Sequence, residues 1–215
     1  MKVKFNTYLE SGDDIETVVI PDGIENIGKY AFAKCANVKF VEIPNSMKAI
    51  GESAFRGCTS LEKIRLGKSL THIEVGAFAN CSALQQINLL KSIEKIGRNA
   101  FKGCSSLTSI DIPESVKKIN NGTFANCTNL RWSMLHNGLE EIGENAFAGC
   151  ISLESINIPR TVKKIDGNAF KNCRNIKSIY VNESLPQEVI DQLEVAIKNS
   201  GTYVDDDEDE IEEIA

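Results

Sequence analysis

Apolar residues along this chain recur with a period of 23 residues, which predicts a stack of similar coils. Isoleucine, phenylalanine and cysteine each keep this step through seven consecutive units, without insertion or deletion. The three columns are Ile27, Ile50, Ile73, Ile96, Ile119, Ile142 and Ile165; Phe32, Phe55, Phe78, Phe101, Phe124, Phe147 and Phe170; and Cys35, Cys58, Cys81, Cys104, Cys127, Cys150 and Cys173.

Each unit begins with two short extended segments. Ile110 and Ile112 fall on one side of the first strand, because side chains alternate along a strand. Pro113 lacks an amide hydrogen and ends that strand. Val116 and Ile119 face inward from a second extended stretch. One unit cannot bury its apolar side alone, so we expect stacked units with strands about 4.8 Å apart and a continuous core.

A compact turn completes each unit. Phe124, Cys127 and Leu130 are spaced by three, which suits one or two helical or 3₁₀ turns. Gly or Asn precedes each cysteine except Cys35, which follows Lys34. Because Gly and Asn best tolerate a positive φ, we expect a left-handed residue at this point of every coil.

The unit L-x-x-I-x-I-P-x-S-V-x-x-I-G-x-x-A-F-x-x-C resembles the BspA-like leucine-rich repeats, also called the Treponema pallidum type. It can be followed through residues 153–173, and the match covers about residues 15–181. Departures replace the proline by Gly67, Leu90 and His136, and the glycine by Glu74, Asn120 and Asp166. The resemblance implies an α/β repeat solenoid: a right-handed, curved leucine-rich-repeat array with a parallel β-sheet on its concave face. Family members are similar to bacterial and protozoan surface proteins that bind host or extracellular partners.

The two ends of the array carry different patterns from the repeats at 15–181. Residues 1–14 are interpreted as an N-terminal cap formed by a decayed repeat. Residues 182–203 hold an apolar stripe at helical spacing and predict a C-terminal capping helix, with the spacing of a capping box at 184–187. The acidic segment 204–215 repels itself and has little to bury, so we expect it to be disordered.

Charge becomes informative once the acidic segment is set apart. The formal net charge is −6, but eight of the 30 acidic residues lie in the last eleven positions. The remainder carries 24 basic against 22 acidic residues, which gives no basic field for nucleic acid or an anionic membrane. We expect no nucleic-acid partner, no membrane insertion, and a monomer.

The expected location depends on whether Met1 is the native start. No apolar run approaches the roughly 20 residues of a membrane helix, and the first eight residues lack the apolar core of a signal peptide. These features predict a cytoplasmic protein. If the chain is a fragment of a longer precursor, the family resemblance implies the cell surface.

Side chains that could carry chemistry are sparse. The cysteines form no C-x-x-C pair, which argues against zinc. Strand-like stacking would permit disulfides between neighbouring coils, but the number of cysteines is odd and their side chains are in register. We favour a ladder of buried free thiols that pack as small apolar groups. His72 and His136 lie in different repeats, and no nucleophile elbow or phosphate loop is found. We expect no catalytic residue, no metal and no cofactor, so the chain is not predicted to be an enzyme.

The positions that vary between units predict a binding surface. The outward positions of the first strand form two columns: Thr17, Phe40, Lys63, Gln86, Ser109, Trp132, Ser155 and Ser178; and Val19, Glu42, Arg65, Asn88, Asp111, Met134, Asn157 and Tyr180. Exposed aromatic residues flanked by charge suit an interface. We predict a non-enzymatic protein-binding module, for adhesion or interaction, whose protein or peptide partner contacts Phe40, Lys63, Arg65, Asp111, Trp132, Met134 and Tyr180. The alternatives are a structural spacer or stalk segment of a larger surface protein, and a hydrolase with a hidden site.

The strand that contains Trp132 leaves two registers open. Ser133 occupies a core column that otherwise holds Ile or Val. A slip of one residue would turn Trp132 and Met134 inward and Ser133 outward. The unbroken period, with Leu130 and Leu135 in place, favours the normal register with Trp132 outside.

Overall fold

The computed structural model describes residues 15–202 and the backbone of Glu213–Ile214. Residues 15–175 form seven stacked coils of 23 residues; coil 1 is 15–37 and coil 7 is 153–175. This confirms the predicted repeat solenoid. The proposed N-terminal cap, residues 1–14, lies outside the described residues, and so does the acidic segment apart from Glu213–Ile214. No helix among the described residues is both long and apolar enough to cross a membrane.

The regular elements of the described residues are fifteen short strands and one helix. In chain order they are β1 (Thr17–Val19), β2 (Asn26–Ile27), β3 (Phe40–Glu42), β4 (Ala49–Ile50), β5 (Lys63–Arg65), β6 (His72–Ile73), β7 (Lys95–Ile96), β8 (Ser109–Ile112), β9 (Lys118–Ile119), β10 (Trp132–Leu135), β11 (Glu141–Ile142), β12 (Ser155–Ile158), β13 (Lys164–Ile165), β14 (Ser178–Asn182), α1 (Gln187–Lys198) and β15 (Glu213–Ile214).

Parallel strands pair along two sides of the stack. The first strands of the coils form sheets of order β1-β3-β5 and β15-β14-β12-β10-β8, and the second strands form β2-β4-β6-β7 and β13-β11-β9. Residues 23 apart are direct partners, as in Thr17 with Phe40 and Phe40 with Lys63. The repeat length therefore fixes the register. The two outward columns of the first strands are called the strand face below.

The core is continuous from coil to coil. The phenylalanine rings from Phe55 to Phe170 are fully buried, and neighbouring rings stack with centroids 5.1 to 5.7 Å apart. The isoleucines from Ile27 to Ile165 are buried beside them. Because each ring is covered by the coils before and after it, a single coil would expose both faces of its ring.

The turn before each cysteine differs from the predicted helical or 3₁₀ turn. In coil 2 the N–H groups of Ser53, Phe55 and Gly57 donate to carbonyl groups of coil 3, while those of the intervening residues donate three residues back. Two left-handed residues accompany this alternation, Ser53 with φ 53° and Gly57 with φ 76°. The second is the predicted position, and its φ is positive in all seven coils, Lys34 included. The first holds Gly or Asn in coils 3 to 7 and Tyr or Ser in coils 1 and 2, so it carried the same compositional signal, which the sequence analysis did not use.

Asn and Gly alternate before the cysteines for a steric reason. A Cβ added to Gly103 would lie 2.4 Å from Oδ1 of Asn80, and one added to Gly149 would lie 2.3 Å from Oδ1 of Asn126. Each of these asparagine side chains therefore lies over the next coil, where only glycine leaves room.

All seven cysteines are free, which confirms the predicted thiol ladder. From coil 2 onward each thiol donates to the phenylalanine carbonyl 26 residues earlier, with S···O distances of 3.0 to 3.2 Å. Burial raises the pKa of Cys58 and of Cys127 to about 12. Thiols in this state are protonated and unreactive at neutral pH. Cys35, in the first coil, is only half-buried.

Helix α1 covers the last coil, as predicted, through its buried face of Val189, Leu193 and Ala196. The predicted capping box is wrong. Pro186 occupies the N-cap position without a side-chain capping bond, because the hydroxyl of Ser184 donates to the side chain of Asn182 instead.

Side chains at this end satisfy the backbone of coil 7. The amide of Ile165 donates to Oε1 of Gln192 at 2.8 Å, and Nδ2 of Asn199 donates to the carbonyl of Gly167 at 2.7 Å. Strand β15 pairs in parallel with Val181 and Asn182. At Glu213–Ile214 a strand thus takes the place of the predicted disorder, since the outer edge of β14 offers unpaired backbone groups.

Both sets of sheets are interrupted at the middle of the stack. Residues 86–89 of coil 4 form no strand and pair with β5 only through the bridge between Lys63 and Gln86. The second sheet ends at β7 and resumes at β9. There, Nδ2 of Asn120 donates to the carbonyl of Ile96 at 2.7 Å. At the equivalent position one coil later, the backbone amide of Gly143 donates to the carbonyl of Ile119 instead. We call this junction of coils 4 and 5 the seam. The phenylalanine stack continues across it, with centroids 5.5 Å apart.

Candidate partner-binding surface

Strand β10 adopts the favoured register. Trp132 and Met134 are 47% and 44% exposed, whereas Ser133 between them is 3% exposed. Four consecutive residues of β10 pair with β8, from Trp132 with Ser109 to Leu135 with Ile112. The prediction that Trp132 faces outward is confirmed.

The neighbours of Trp132 leave its ring uncovered. Its direct partners are Ser109 on β8 and Ser155 on β12, and serine is too small to shield an indole. Met134 lies two residues along the strand and pairs with Asp111. Two large apolar side chains are thereby displayed side by side on the strand face.

A groove opens next to Met134, where β10 and β12 separate. The two strands pair only at Trp132 and Ser133. Beyond them the side chain of Asn157 bonds both backbone groups of Leu135: the Leu135 amide donates to Oδ1 at 3.0 Å, and Nδ2 donates to the Leu135 carbonyl at 2.6 Å. The groove has a volume of about 280 Å³, and Met134, Tyr180, Pro159, His136 and Arg160 contribute to its lining.

Several polar groups on the strand face are already paired within the chain. Nε2 of His136 lies 2.7 Å from Oδ1 of Asp111, and Arg65 forms an ion pair with Glu42 at 3.1 Å. Both pairs are solvent-exposed, so each contributes little to stability. The first pair borders the apolar patch, and the second lies away from it in coils 2 and 3.

The predicted site residues fall into two groups. Asp111, Trp132, Met134 and the half-buried Tyr180 lie together on β8, β10 and β14. Phe40, Lys63 and Arg65 lie on β3 and β5. Phe40 is half-buried, and both basic side chains are exposed. Coil 4, with the seam at its far side, separates the two groups.

Sequence reasoning missed three residues that shape the groove: Asn157, His136 and Arg160. His136 did carry a signal, because it replaces the proline that ends this strand in most coils. Asn157 carried none, since an outward asparagine on a strand is ordinary.

Beneath the patch lies a polar atom without a partner. Oγ of Ser133 is the one buried side-chain oxygen or nitrogen in the described part of the chain that makes no hydrogen bond. An unpaired buried hydroxyl lowers stability. The strand with the most exposed apolar surface is thus also the strand with this defect.

No arrangement suited to metal binding accompanies the patch. Within residues 15–202, no three or more His, Cys, Asp or Glu side chains are grouped so that they could hold a metal ion.

Comparison with known proteins places this architecture in a family. Residues 3–131 and 94–192 match the model of the BspA type leucine rich repeat region, in six copies. A T. pallidum leucine-rich repeat protein is 30% identical and superposes with a TM-score of 0.73 over 86% of this chain and 84% of its own. A leucine-rich repeat protein from Bacteroides ovatus is 33% identical, with a TM-score of 0.72 over 77% of this chain and 47% of its own.

A third similar structure is named as a cell surface protein. It is a leucine rich cell surface protein from Faecalibacterium prausnitzii, 31% identical, with a TM-score of 0.71 over 79% of this chain and 48% of its own. This chain therefore spans about half the length of that protein and of the B. ovatus protein. No curated protein sequence matches. The family model and these structures agree with the 23-residue unit, and this chain belongs to the BspA-type leucine-rich-repeat proteins.

Proposed function

We propose that the chain is a non-enzymatic protein-binding module whose strand face contacts a partner protein around Trp132 and Met134. The observation that carries this proposal is the exposure of these two side chains, 47% and 44%, beside a groove. Tryptophan is among the residues most enriched in interface hot spots. An apolar patch rimmed by polar residues is typical of a contact surface.

The patch is held rigidly before any partner arrives. Strand β10 is fixed on one side by four pairs with β8, and Leu130 and Leu135 anchor its coil in the core. A partner that binds such a surface immobilises few additional groups, so more of the contact energy becomes affinity.

The remaining predicted residues extend the proposed surface. Asp111 and Tyr180 border the patch, while Phe40, Lys63 and Arg65 form a second contact group in coils 2 and 3. Phe40 and Trp132 are four coils apart, about 19 Å at the strand spacing. A partner that touches both groups is peptide-sized or larger.

The proposed setting is the surface of a cell, with this chain acting as a monomer. The F. prausnitzii relative is named as a cell surface protein, and a module that displays a preformed apolar patch suits recognition between proteins.

Photo-crosslinking tests this function. A benzophenone side chain placed at Met134 is expected to capture a protein from the surface and secreted proteins of the source organism and of the cells it contacts. The same group placed at Ile151, which is 51% exposed but lies away from the strand face, should capture nothing in common. Equal capture from both positions, or none from either, would contradict the proposal and favour the spacer.

A further inference from the structure

We infer that the groove beside Met134 binds an extended segment of the partner protein, which inserts one large apolar side chain and places a carboxylate on Arg160. The inference rests on the proposed function, because the groove adjoins the patch formed by Trp132 and Met134. It adds the chemistry of the partner.

The groove exists because a side chain replaces a backbone partner. In coils 1 and 2 the residue after the second outward position donates to the next coil's backbone: the amide of Ile20 bonds the carbonyl of Glu42 at 3.0 Å, and the amide of Ile43 bonds that of Arg65 at 2.8 Å. At the equivalent Leu135 the acceptor is the side chain of Asn157. The amide group of Asn157 therefore stands between β10 and β12 and holds their ends apart.

The size of the groove selects its occupant. Pockets for small molecules usually measure roughly 300 to 1,000 Å³, and this one measures about 280 Å³ and is open to solvent. Met134, Pro159 and the ring of Tyr180 give it apolar walls. That space suits one large apolar side chain on a chain that continues along the surface.

Two polar side chains of the lining are already bonded within the chain. Both polar atoms of Asn157 are bonded to Leu135, and Nε2 of His136 is bonded to Asp111. Since these groups are already satisfied, neither offers a ligand a new bond without losing one. The other polar side chains of the lining include Asn137, Arg160 and Tyr180.

The charge of the lining favours an acidic neighbour for the inserted side chain. Among the described residues that line the groove there is no Asp or Glu, whereas Arg160 is exposed. Arg160 forms no ion pair within the described part of the chain. A guanidinium pairs with a carboxylate through two parallel hydrogen bonds, so the segment should carry Asp or Glu beside the apolar residue.

Selection from a random twelve-residue peptide library tests the inference with the full chain as bait. We expect enrichment of peptides in which Phe, Leu, Met or Trp adjoins Asp or Glu. Binding can then be measured through Trp132, the single tryptophan of the chain. Arg160→Glu should weaken the selected peptides at least tenfold, and Arg56→Glu, an exposed arginine outside the groove, should change the affinity less than about twofold.

A second variant tests the role of Asn157. Asn157→Ala removes the amide between the strands, so β10 and β12 should close and peptide affinity should fall at least tenfold. Asn88→Ala, at the same column of coil 4, is the matched control. Circular dichroism of each variant shows whether the fold is kept, and Arg160→Glu keeps the test valid if Asn157→Ala unfolds.

Three results would overturn the inference. The first is enrichment of peptides without an acidic residue, or an affinity insensitive to Arg160→Glu. The second is that no peptide is enriched, while a protein is still captured from position 134; the proposed function would then stand without this groove. The third is that the groove is filled by the protein itself. A second copy would be seen as self-association that is lost in Arg160→Glu, and the chain's own residues 203–215 would be seen as peptide binding that appears only after they are deleted.

Discussion

At the scale of single residues, Ser133 shows how β10 departs from the rest of the array. Every other described coil places Ile or Val in its column, while the hydroxyl of Ser133 is buried without a partner. We expect Ser133→Val to stabilise the protein by about 1–3 kcal/mol, because a valine removes the unpaired group and fills apolar space. Urea unfolding of the two proteins measures the difference.

Ser133→Thr is the control for that substitution. It adds a methyl group but keeps the hydroxyl, so it should stabilise less than valine. If valine leaves the free energy of unfolding unchanged or lowers it, the hydroxyl is not a defect and the account of this strand is wrong.

The alternation of Asn and Gly makes a second prediction at this scale. Gly149 has φ 75°, and an added Cβ would lie 2.3 Å from Oδ1 of Asn126. Gly149→Ala should destabilise through a left-handed alanine, at about 1–2 kcal/mol, and additionally through the clash with Asn126. Thermal or urea unfolding measures the sum.

Two further variants separate these causes. Asn126→Gly in the Gly149→Ala background should relieve the clash but not the backbone cost at position 149, because glycine tolerates the positive φ of 61° at position 126. Gly23→Ala, at φ 86° with nothing within 4 Å of its Cβ, should show the backbone cost alone. Equal losses at Gly149 and Gly23 would exclude the steric explanation of the alternation.

At the scale of elements, the thiol ladder links stability to pH. Burial raises the pKa of Cys58 and Cys127 to about 12, against about 8.5 for an unfolded cysteine. The folded state holds these protons more tightly, so the contribution is complete below about pH 8.5 and is lost as pH rises towards 12. Each such thiol should lower the free energy of unfolding by about 1.4 kcal/mol per pH unit in that window.

Urea unfolding at pH 7.5 and at pH 10 tests this coupling. Because lysine and tyrosine also titrate there, Cys127→Ala is the informative variant. Its free energy of unfolding should fall with pH less steeply than that of the unsubstituted protein, by the contribution of one thiol, about 1.4 kcal/mol per pH unit. An identical pH dependence in both proteins would show that Cys127 is not protonated throughout the folded range.

The sequence predicts an element well when the residues that produce it recur in every coil. The isoleucine, phenylalanine and cysteine columns recur seven times, so coil length, core and thiol ladder follow from the sequence. The groove depends on a single exchange, the side chain of Asn157 for a backbone acceptor at Leu135. No periodic signal accompanies such an event, and only the three-dimensional arrangement identifies it.

The seam is likewise weakly encoded. Leu90 and Asn120 replace the proline and glycine of the unit, but Gly67 and Glu74 do the same in coil 3, where both strands form. Whether a substitution in the repeat unit interrupts the strands depends on the hydrogen bond that its side chain makes, such as the bond from Asn120 to the carbonyl of Ile96.

At the scale of the whole molecule, the seam divides the strand face into two contact groups. Backbone pairing is interrupted there on both strand sides, while the phenylalanine stack is not. We expect amide hydrogens of residues 87–89 to exchange at least tenfold faster than those of 110–112, because local stability follows backbone pairing. Hydrogen–deuterium exchange resolved by peptide measures both segments in one sample.

A repair variant gives this prediction its control. Asn120→Gly restores the residue type whose amide bonds the preceding coil at Gly97 and Gly143, and should slow exchange around Ile96. Uniform exchange across coils 3 to 6 would mean that the seam is no weaker than the rest of the solenoid.

The central claim is that a rigid stack of coils presents the patch of Trp132 and Met134 to a partner protein. The affinity for the protein captured from position 134 tests this claim most directly. Calorimetric titration compares the unsubstituted chain with Trp132→Ala and with Ile151→Ala. Trp132→Ala should weaken binding by about 2 kcal/mol, roughly thirtyfold, at unchanged melting temperature, while Ile151→Ala binds as before. Equal affinities in all three proteins would contradict the assignment of the strand face as the contact surface.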